Sequence, residues 1–479
     1  MFRINFNFEL KSLLRSAWIQ TLSVLLLTLC LFASYNGAQK VADRTANTEH
    51  IKATADSTYT VMLGVLDSVV AGLKTDLPPW QNPQTPSVLG NRYPKVAAFD
   101  AQPLALLATG QSDMYAHAVT PRLSGEALLL NFTELASPVQ LLFGSFDLSF
   151  VFVYLLPLLV IAFSYNLLSA EREQGVLRLL LAQPMSVLGW LLQKSAIRFL
   201  VIAVVSSISL VAALLVSGVH VAAYPVEILK LIAMVLAYAA FWFIVAVLVN
   251  LAGRSSAQNT VIMLAVWIGL VLLMPSIVGQ LANNLYPVPS RALLVNEVRV
   301  ATAKAEKEAD QILAAYYRDH PELMPDSSKQ QTFLFWKQYF ASQDLIREQL
   351  RPLIVQYDDR LAEQQAWVDR FRFASPAILL QDGFNDLAGT SSRHYQSFRQ
   401  QVIDFAAEWR GYFIPIIFKG DTITREMALA TPEFTYNSAN VRQHFGANMM
   451  GLLLYCAIFL IAGLTLLGRS AKEQAIAGV

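Results

Sequence analysis

The chain has 479 residues, of which 55% are hydrophobic and only 15% charged. Soluble domains carry about 25% charged residues, so the composition points to a membrane protein, and a formal net charge of +1 argues against a bulk-basic nucleic-acid binder. The two cysteines, Cys30 and Cys456, both sit in apolar runs, which argues against a disulfide framework or a cysteine-rich metal centre.

Residues 1–17 open the chain with an amphipathic stretch. Phe6, Leu10, Leu13 and Leu14 space as one helical face with Lys11 and Arg15 beside it, which suits a helix lying in the membrane interface. No charge occurs from Ser16 to Gln39, and 18–36 is long enough to cross about 30 Å of hydrocarbon. The long amphipathic lead and the lack of a small-x-small cleavage pattern favour an uncleaved anchor over a signal peptide. Residues 37–146 are mixed and polar. Their first half is compatible with a helix continuing out of the membrane, and Pro78, Pro79, Pro83, Pro86, Pro94 and Pro103 mark a loop-rich second half.

Four further apolar spans follow at 147–169, 199–217, 229–250 and 259–279. Pro157 and Pro275 fall inside two of them as expected helix kinks, since neighbouring groups can satisfy the carbonyls that a proline frees. Residues 280–446 form a second polar region holding more than half of the charged residues, and a sixth span, 447–467, precedes the tail 468–479. The lysines and arginines of the short segments (Arg3, Lys11 and Arg15; Arg172, Arg178, Lys194 and Arg198; Arg254; Arg469 and Lys472) all fall on the side of the termini, whereas the loop 218–226 has none. The expected fold is an α-helical integral membrane protein with six transmembrane helices. Both termini are cytoplasmic, and two extracytoplasmic insertions are expected, the second mainly helical. Amphipathic runs at 291–317, 332–371 (with Phe335, Tyr339, Leu345, Leu350, Ile354 and Trp367) and 393–412 supply those helices, with the charges read as their solvated faces.

Chemical motifs are scarce. No G-x-x-x-x-G-K-[ST] loop occurs, so any use of ATP requires a partner to bring it. The six histidines (His50, His117, His220, His320, His394 and His444) are scattered without metal-ligand spacing. No G-x-S-x-G elbow exists, and the span interiors carry no Asp or Glu. The Asn131, Phe132, Thr133 triplet matches a glycosylation acceptor of low specificity. The chain is therefore expected to be non-catalytic, with no cofactor or metal of its own.

The remaining candidate is the loop 170–198, and within it Glu171 to Pro184. After Gly175, the apolar Val176, Leu177, Leu179, Leu180 and Leu181 place a broad greasy side opposite Arg178. The residues themselves leave open an ordinary interfacial loop or a docking helix. An apolar span, then ERE-x-G-x-L-x-x-LL-x-x-P, then a basic residue and another span resembles the signature of type 2 (ABC-2) ABC exporter permeases. The passage DLSFVFVYLLPLLVIAFSYNLLSA resembles the subfamily with large extracytoplasmic inserts (DUF3526-like), and LAGTSSRHYQSFRQQVIDFAAEWRGYF at 387–413 is similar to a segment of its second insert. The similarity covers most of 140–479.

That resemblance implies a type V ABC exporter-like arrangement in a bacterial inner membrane. Glu171, Arg172, Glu173, Gly175, Leu177, Leu180 and Pro184 match the family's coupling helix, which docks in a groove of the ATPase. Val176 stands where threonine is common and Arg178 where glutamate is common, which reverses a charge. Implied partners are a cytoplasmic ABC ATPase dimer that binds ATP and magnesium, a second permease copy or homologous permease, and membrane lipids, with no nucleic acid. The implied substrate is lipid-like, a peptide or an amphipathic small molecule. The competing expectation is a non-transporting scaffold or signalling protein whose outer helices bind an envelope partner.

Overall fold

The computed structural model describes residues 2–73, 77–110, 112, 116–124, 146–176, 187–252, 255–439, 441 and 443–476. Six helices among them are long and apolar enough to cross a membrane. A short helix α1 (Phe2–Arg15) turns at Ser16 into α2 (Ala17–Val70), whose 54 residues span about 80 Å at 1.5 Å per residue. The first candidate span and the helix leaving it are thus one uninterrupted rod. The first insertion then adds α3 (Pro86–Arg92) and a two-stranded antiparallel pair, β1 (Ala97–Ala98) with β2 (Ala118–Val119).

The other spans are α4 (Leu148–Glu173), α5 (Val187–Val216), α6 (Pro225–Leu251), α7 (Ser256–Leu285) and the apolar part of α14 (Phe445–Ile476). The helix of α5 starts well before residue 199, inside what reads from sequence as a loop. In α4 and α6, 67% and 61% of the apolar window is buried, against 17% in α7 and in α14. The centre of the bundle is therefore α4 and α6, and the remaining spans surround them.

Pro157 and Pro275 each follow a π-helical segment, Val151–Leu155 and Ile268–Leu273. A proline lacks the N–H that would bond four residues back, and a wider turn ahead of it is one way to accommodate the freed carbonyl. The interruption in α4 that leaves helical geometry lies elsewhere, at 165–168, in a stretch with no proline.

Between α7 and α14 the chain forms α8 (Arg291–Lys307), α9 (Ala309–Asp319), α10 (Leu334–Phe371), α11 (Pro376–Ala388), α12 (Ser392–Lys419) and α13 (Arg425–Leu429). Phe335 and Leu345, counted from sequence on a buried face of α10, are exposed at 68% and 36%. The two insertions share one core. Tyr59, Met62 and Leu66 of α2, Leu89, Phe99 and Leu123 of the first insertion, and Phe340, Phe398, Trp409 and Phe413 of the second all pack in a single cluster. Trp409 donates from its indole to the Gly90 carbonyl at 3.1 Å, and Leu123 closes so tightly on Gly90 that a Cβ there would lie 2.2 Å from it.

Residues 372–388 do not stay in that shared domain. Helix α11 packs against α6, α7 and α14 and against the π-helical start of α4, with Leu379, Leu380, Phe384 and Ala388 fully buried in the core of the spans. The turn before it goes deepest: the Phe373 carbonyl accepts from Tyr455, ten residues and about 15 Å along α14. The hydroxyl of Ser375 donates to the Leu270 carbonyl in the π segment of α7. Helix α10, the turn and α11 thus make a hairpin that re-enters the bundle of candidate spans.

Candidate functional site

Of the motif residues, Glu171 and Glu173 lie where α4 meets α5 and α7. Beyond Ser164 the helix of α4 opens at 165–168 and resumes as a single turn, Ser169–Glu173. An open turn frees backbone groups that cannot be left bare between spans, and several are met by side chains from other helices. Asn250 of α6 donates to the Ser164 carbonyl at 3.0 Å and accepts from the Leu168 N–H at 3.2 Å. Asn259 of α7 donates to the Tyr165 carbonyl at 3.2 Å. Arg198 of α5 donates to the Phe163 carbonyl and to the Asn166 side chain, while its Nε meets Glu9 of α1 at 2.9 Å. Asn250 and Asn259 are 2% and 0% exposed, so these bonds are made out of water.

The first acid of the motif points inward. Glu171 forms an ion pair with Lys194 of α5, with both side chains largely buried. Glu173 reaches α7: its carboxylate accepts from the Ser256 N–H at 2.7 Å and from the Ser256 hydroxyl at 3.0 Å. That places a negative charge on the first turn of α7, where free N–H groups and the helix dipole favour it. Ser255 caps the same turn through Gln258, and the Ser169 and Ser256 hydroxyls lie 2.8 Å apart.

Arg172 is exposed. Gly175 has φ +73°, and its N–H closes on the Arg172 carbonyl at 3.1 Å. A left-handed residue just past a helix end is the position glycine fills without strain, so the motif's glycine ends the helical turn Ser169–Glu173. Val176 is 39% exposed. Leu177, Leu180 and Pro184, together with Arg178, lie outside the described residues.

The structure brings Glu171 and Glu173 together with Lys194, Ser256, Asn250, Asn259, Arg198 and Glu9. Of these six, Lys194 and Arg198 were named from sequence only as short-segment basic residues, and the other four were not named. Asn250 and Asn259 carried a usable signal, being amides inside apolar runs on either side of a turn, where polar residues are expensive and usually partnered. Among the described residues no group of His, Cys, Asp and Glu could hold a metal ion. Beside the junction lies an apolar groove of about 370 Å³ between α5, α6 and α14, lined by Leu192, Phe199, Phe243, Val247, Leu248 and Leu460.

A second polar cluster lies at the opposite end of the bundle. Arg393 of α12 donates to Asp382 and Asp386 of α11 at 2.9 and 2.7 Å and to Asp369 of α10 at 3.1 Å. Asp386 also accepts the His444 N–H at 2.8 Å, Asp382 accepts from Asn448 at 2.8 Å, and Arg372 bonds His444. Charges read from sequence as solvated helix faces are here buried, with the Asp386 side chain only 1% exposed.

Residues 291–437 match a protein family described as a domain of unknown function, DUF3526. Searches of curated proteins and of solved structures found no match. The matched segment runs from α8 through α13, so it takes in the second insertion and the re-entrant hairpin.

Proposed function

We propose that the chain is the membrane permease subunit of an ABC exporter. In this reading a cytoplasmic ATPase dimer binds ATP and magnesium, closes, and pushes on the segment that follows Gly175. The Glu171 end of the bundle faces the cytoplasm, consistent with the lysines and arginines of the short segments, and the outer domain lies on the other side of a bacterial inner membrane. A second permease copy or a homologous permease completes the pathway.

The observation that carries the reading is the double tie made by Glu171 and Glu173. A displacement delivered just beyond Gly175 reaches α4 first, α5 through Lys194 and α7 through Ser256. One input therefore moves three spans together, which is what a coupling element has to do. The proline-linked π segments of α4 and α7 are the proposed points where those spans bend. The apolar groove and the apolar span surfaces favour a lipid-like, peptide or amphipathic substrate over a small ion.

A non-transporting scaffold is the second reading. It is favoured by exposed apolar side chains far out on the outer domain, among them Leu73, Trp80 and Phe335, which suit an envelope partner. Purification of the tagged chain from its native membrane in mild detergent separates the two. Retention of a P-loop ATPase supports the permease, and its absence under conditions that keep the bundle folded supports the scaffold.

A further inference from the structure

We propose that the re-entrant hairpin is a movable plug that closes the space between α4, α6, α7 and α14 from the domain side, latched to α14 through Asp382, Asp386 and Arg372. The permease reading is needed only for what drives the movement, not for the plug itself.

Three features argue for a plug rather than a fixed strut. First, the hairpin fills the middle of the bundle. Phe384 meets Phe152 of α4 at a ring separation of 6.0 Å, and Gln381 bonds Ser149 at 3.0 Å. Gly383 lies so close to Met234 of α6 that a Cβ would come within 2.2 Å of the methionine methyl. Withdrawing α11 would therefore open a path down to Met234, which is now fully buried.

Second, the close contacts of the hairpin run through glycine notches. Met234 of α6 fills the notch at Gly383 of α11, and Leu379 and Phe373 fill the notch at Gly451 of α14. The deep turn is held to the spans by single hydrogen bonds from Ser375 and Tyr455. Both π-helical segments, an irregular geometry often found at functional sites, touch α11.

Third, the charges make two kinds of tie, which meet at Asp382 and Asp386. Arg393 joins Asp369, Asp382 and Asp386, which binds α10, α11 and α12 into one body. The ties from that body to the start of α14 use the same two acids and Arg372: Asp386 to the His444 N–H, Asp382 to Asn448, and Arg372 to the His444 ring. Breaking the second set would loosen α11 from α14 while Arg393 still holds α10, α11 and α12 together. Asn448 is fully buried and sits at the start of the span, so it is the point where the latch can be cut while Arg393 keeps the hairpin intact.

The test uses the full chain in liposomes with Cys30→Ala and Cys456→Ala, and Met234→Cys as reporter. A membrane-impermeant maleimide added from the domain side should label the reporter very slowly. Adding Asn448→Ala should raise the labelling rate at least tenfold. A short thiol-specific cross-linker joining Leu379→Cys to Gly451→Cys, applied before the maleimide, should return the rate to its starting value. This control also excludes general unfolding, which a single cross-link would not reverse. Unchanged labelling after Asn448→Ala and also after Asp382→Asn, or labelling as fast with the cross-link as without it, would overturn the plug. In complex with the ATPase, turnover should also raise labelling. If the latch variants open the path but ATP does not, the plug stands and the permease reading fails.

Discussion

Glu173 and Ser256 are 83 positions apart in the chain, yet the Glu173 carboxylate accepts both the N–H and the hydroxyl of Ser256. The contact is exposed, so its worth is that of a helix cap, about 0.5–2 kcal/mol. Glu173→Ala should lower the melting temperature of the detergent-purified chain by a few degrees. Glu173→Gln, whose amide oxygen can still accept the N–H, should lose about half as much. Equal melting of all three proteins would remove the tie from the account.

The Glu171 and Lys194 pair is a different case because both side chains are largely buried, at 15% and 8% exposure. Removing one partner of a buried pair leaves an uncompensated charge and costs about 3–5 kcal/mol, whereas replacing both is often nearly neutral. Lys194→Met and Glu171→Gln should each reduce stability strongly, and the double variant should recover most of the loss. A double-mutant cycle with a coupling below about 0.5 kcal/mol would show that the pair does not hold α4 to α5.

Two glycines of α2 distinguish its two halves. At Gly37 a Cβ would lie 2.4 Å from the Leu106 carbonyl oxygen, backbone that cannot swing aside, whereas at Gly64 nothing lies within 4 Å. Gly37→Ala should destabilise the chain by about 1–3 kcal/mol through overpacking. Gly64→Ala should stabilise it by up to about 1 kcal/mol, because alanine is the better helix former at an exposed interior position. If Gly64→Ala lowers stability as Gly37→Ala does, α2 is not one continuous helix through that point.

Burial pushes the His117 imidazole down to about 3, with the positive charge of Arg44 acting in the same direction. An imidazole in the unfolded chain titrates near 6.5, so the folded state takes up its proton later than the unfolded state. The stability that His117 contributes is therefore complete above about pH 6.5 and is lost as pH falls from there towards 3. The wild-type chain should lose more melting temperature between pH 7.5 and 5 than His117→Asn does, by a few degrees. Identical pH profiles would contradict the neutral, shielded imidazole.

Span number and type were legible because long charge-free runs leave little else for a helix to do. Their ends were less so: the start of α5 is amphipathic, with Lys194 and Arg198 turned to Glu171 and Glu9, and it reads as loop until those partners are known. The hairpin was not legible. PAILLQDGFNDLA is too short to cross a membrane, and its polar residues Gln381, Asp382, Asn385 and Asp386 match a solvated face unless Arg393 and Asn448 are placed against them. The shared core of the two insertions was hidden for a similar reason, since Gly90 and Trp409 meet only through tertiary packing. Within the motif, pattern located Glu171 and Glu173 but not their direction, which is inward to α5 and α7.

The central claim is that the segment 171–184 receives force from an ATPase and that its acids pass it to the spans. ATP hydrolysis and substrate-dependent stimulation should be measured on the purified complex for wild type, Glu173→Ala, and the pair Leu177→Asp with Leu180→Asp. The pair should fail to retain the ATPase, while Glu173→Ala should retain it and lose stimulation at least tenfold. Full retention and undiminished stimulation in both variants would contradict the account.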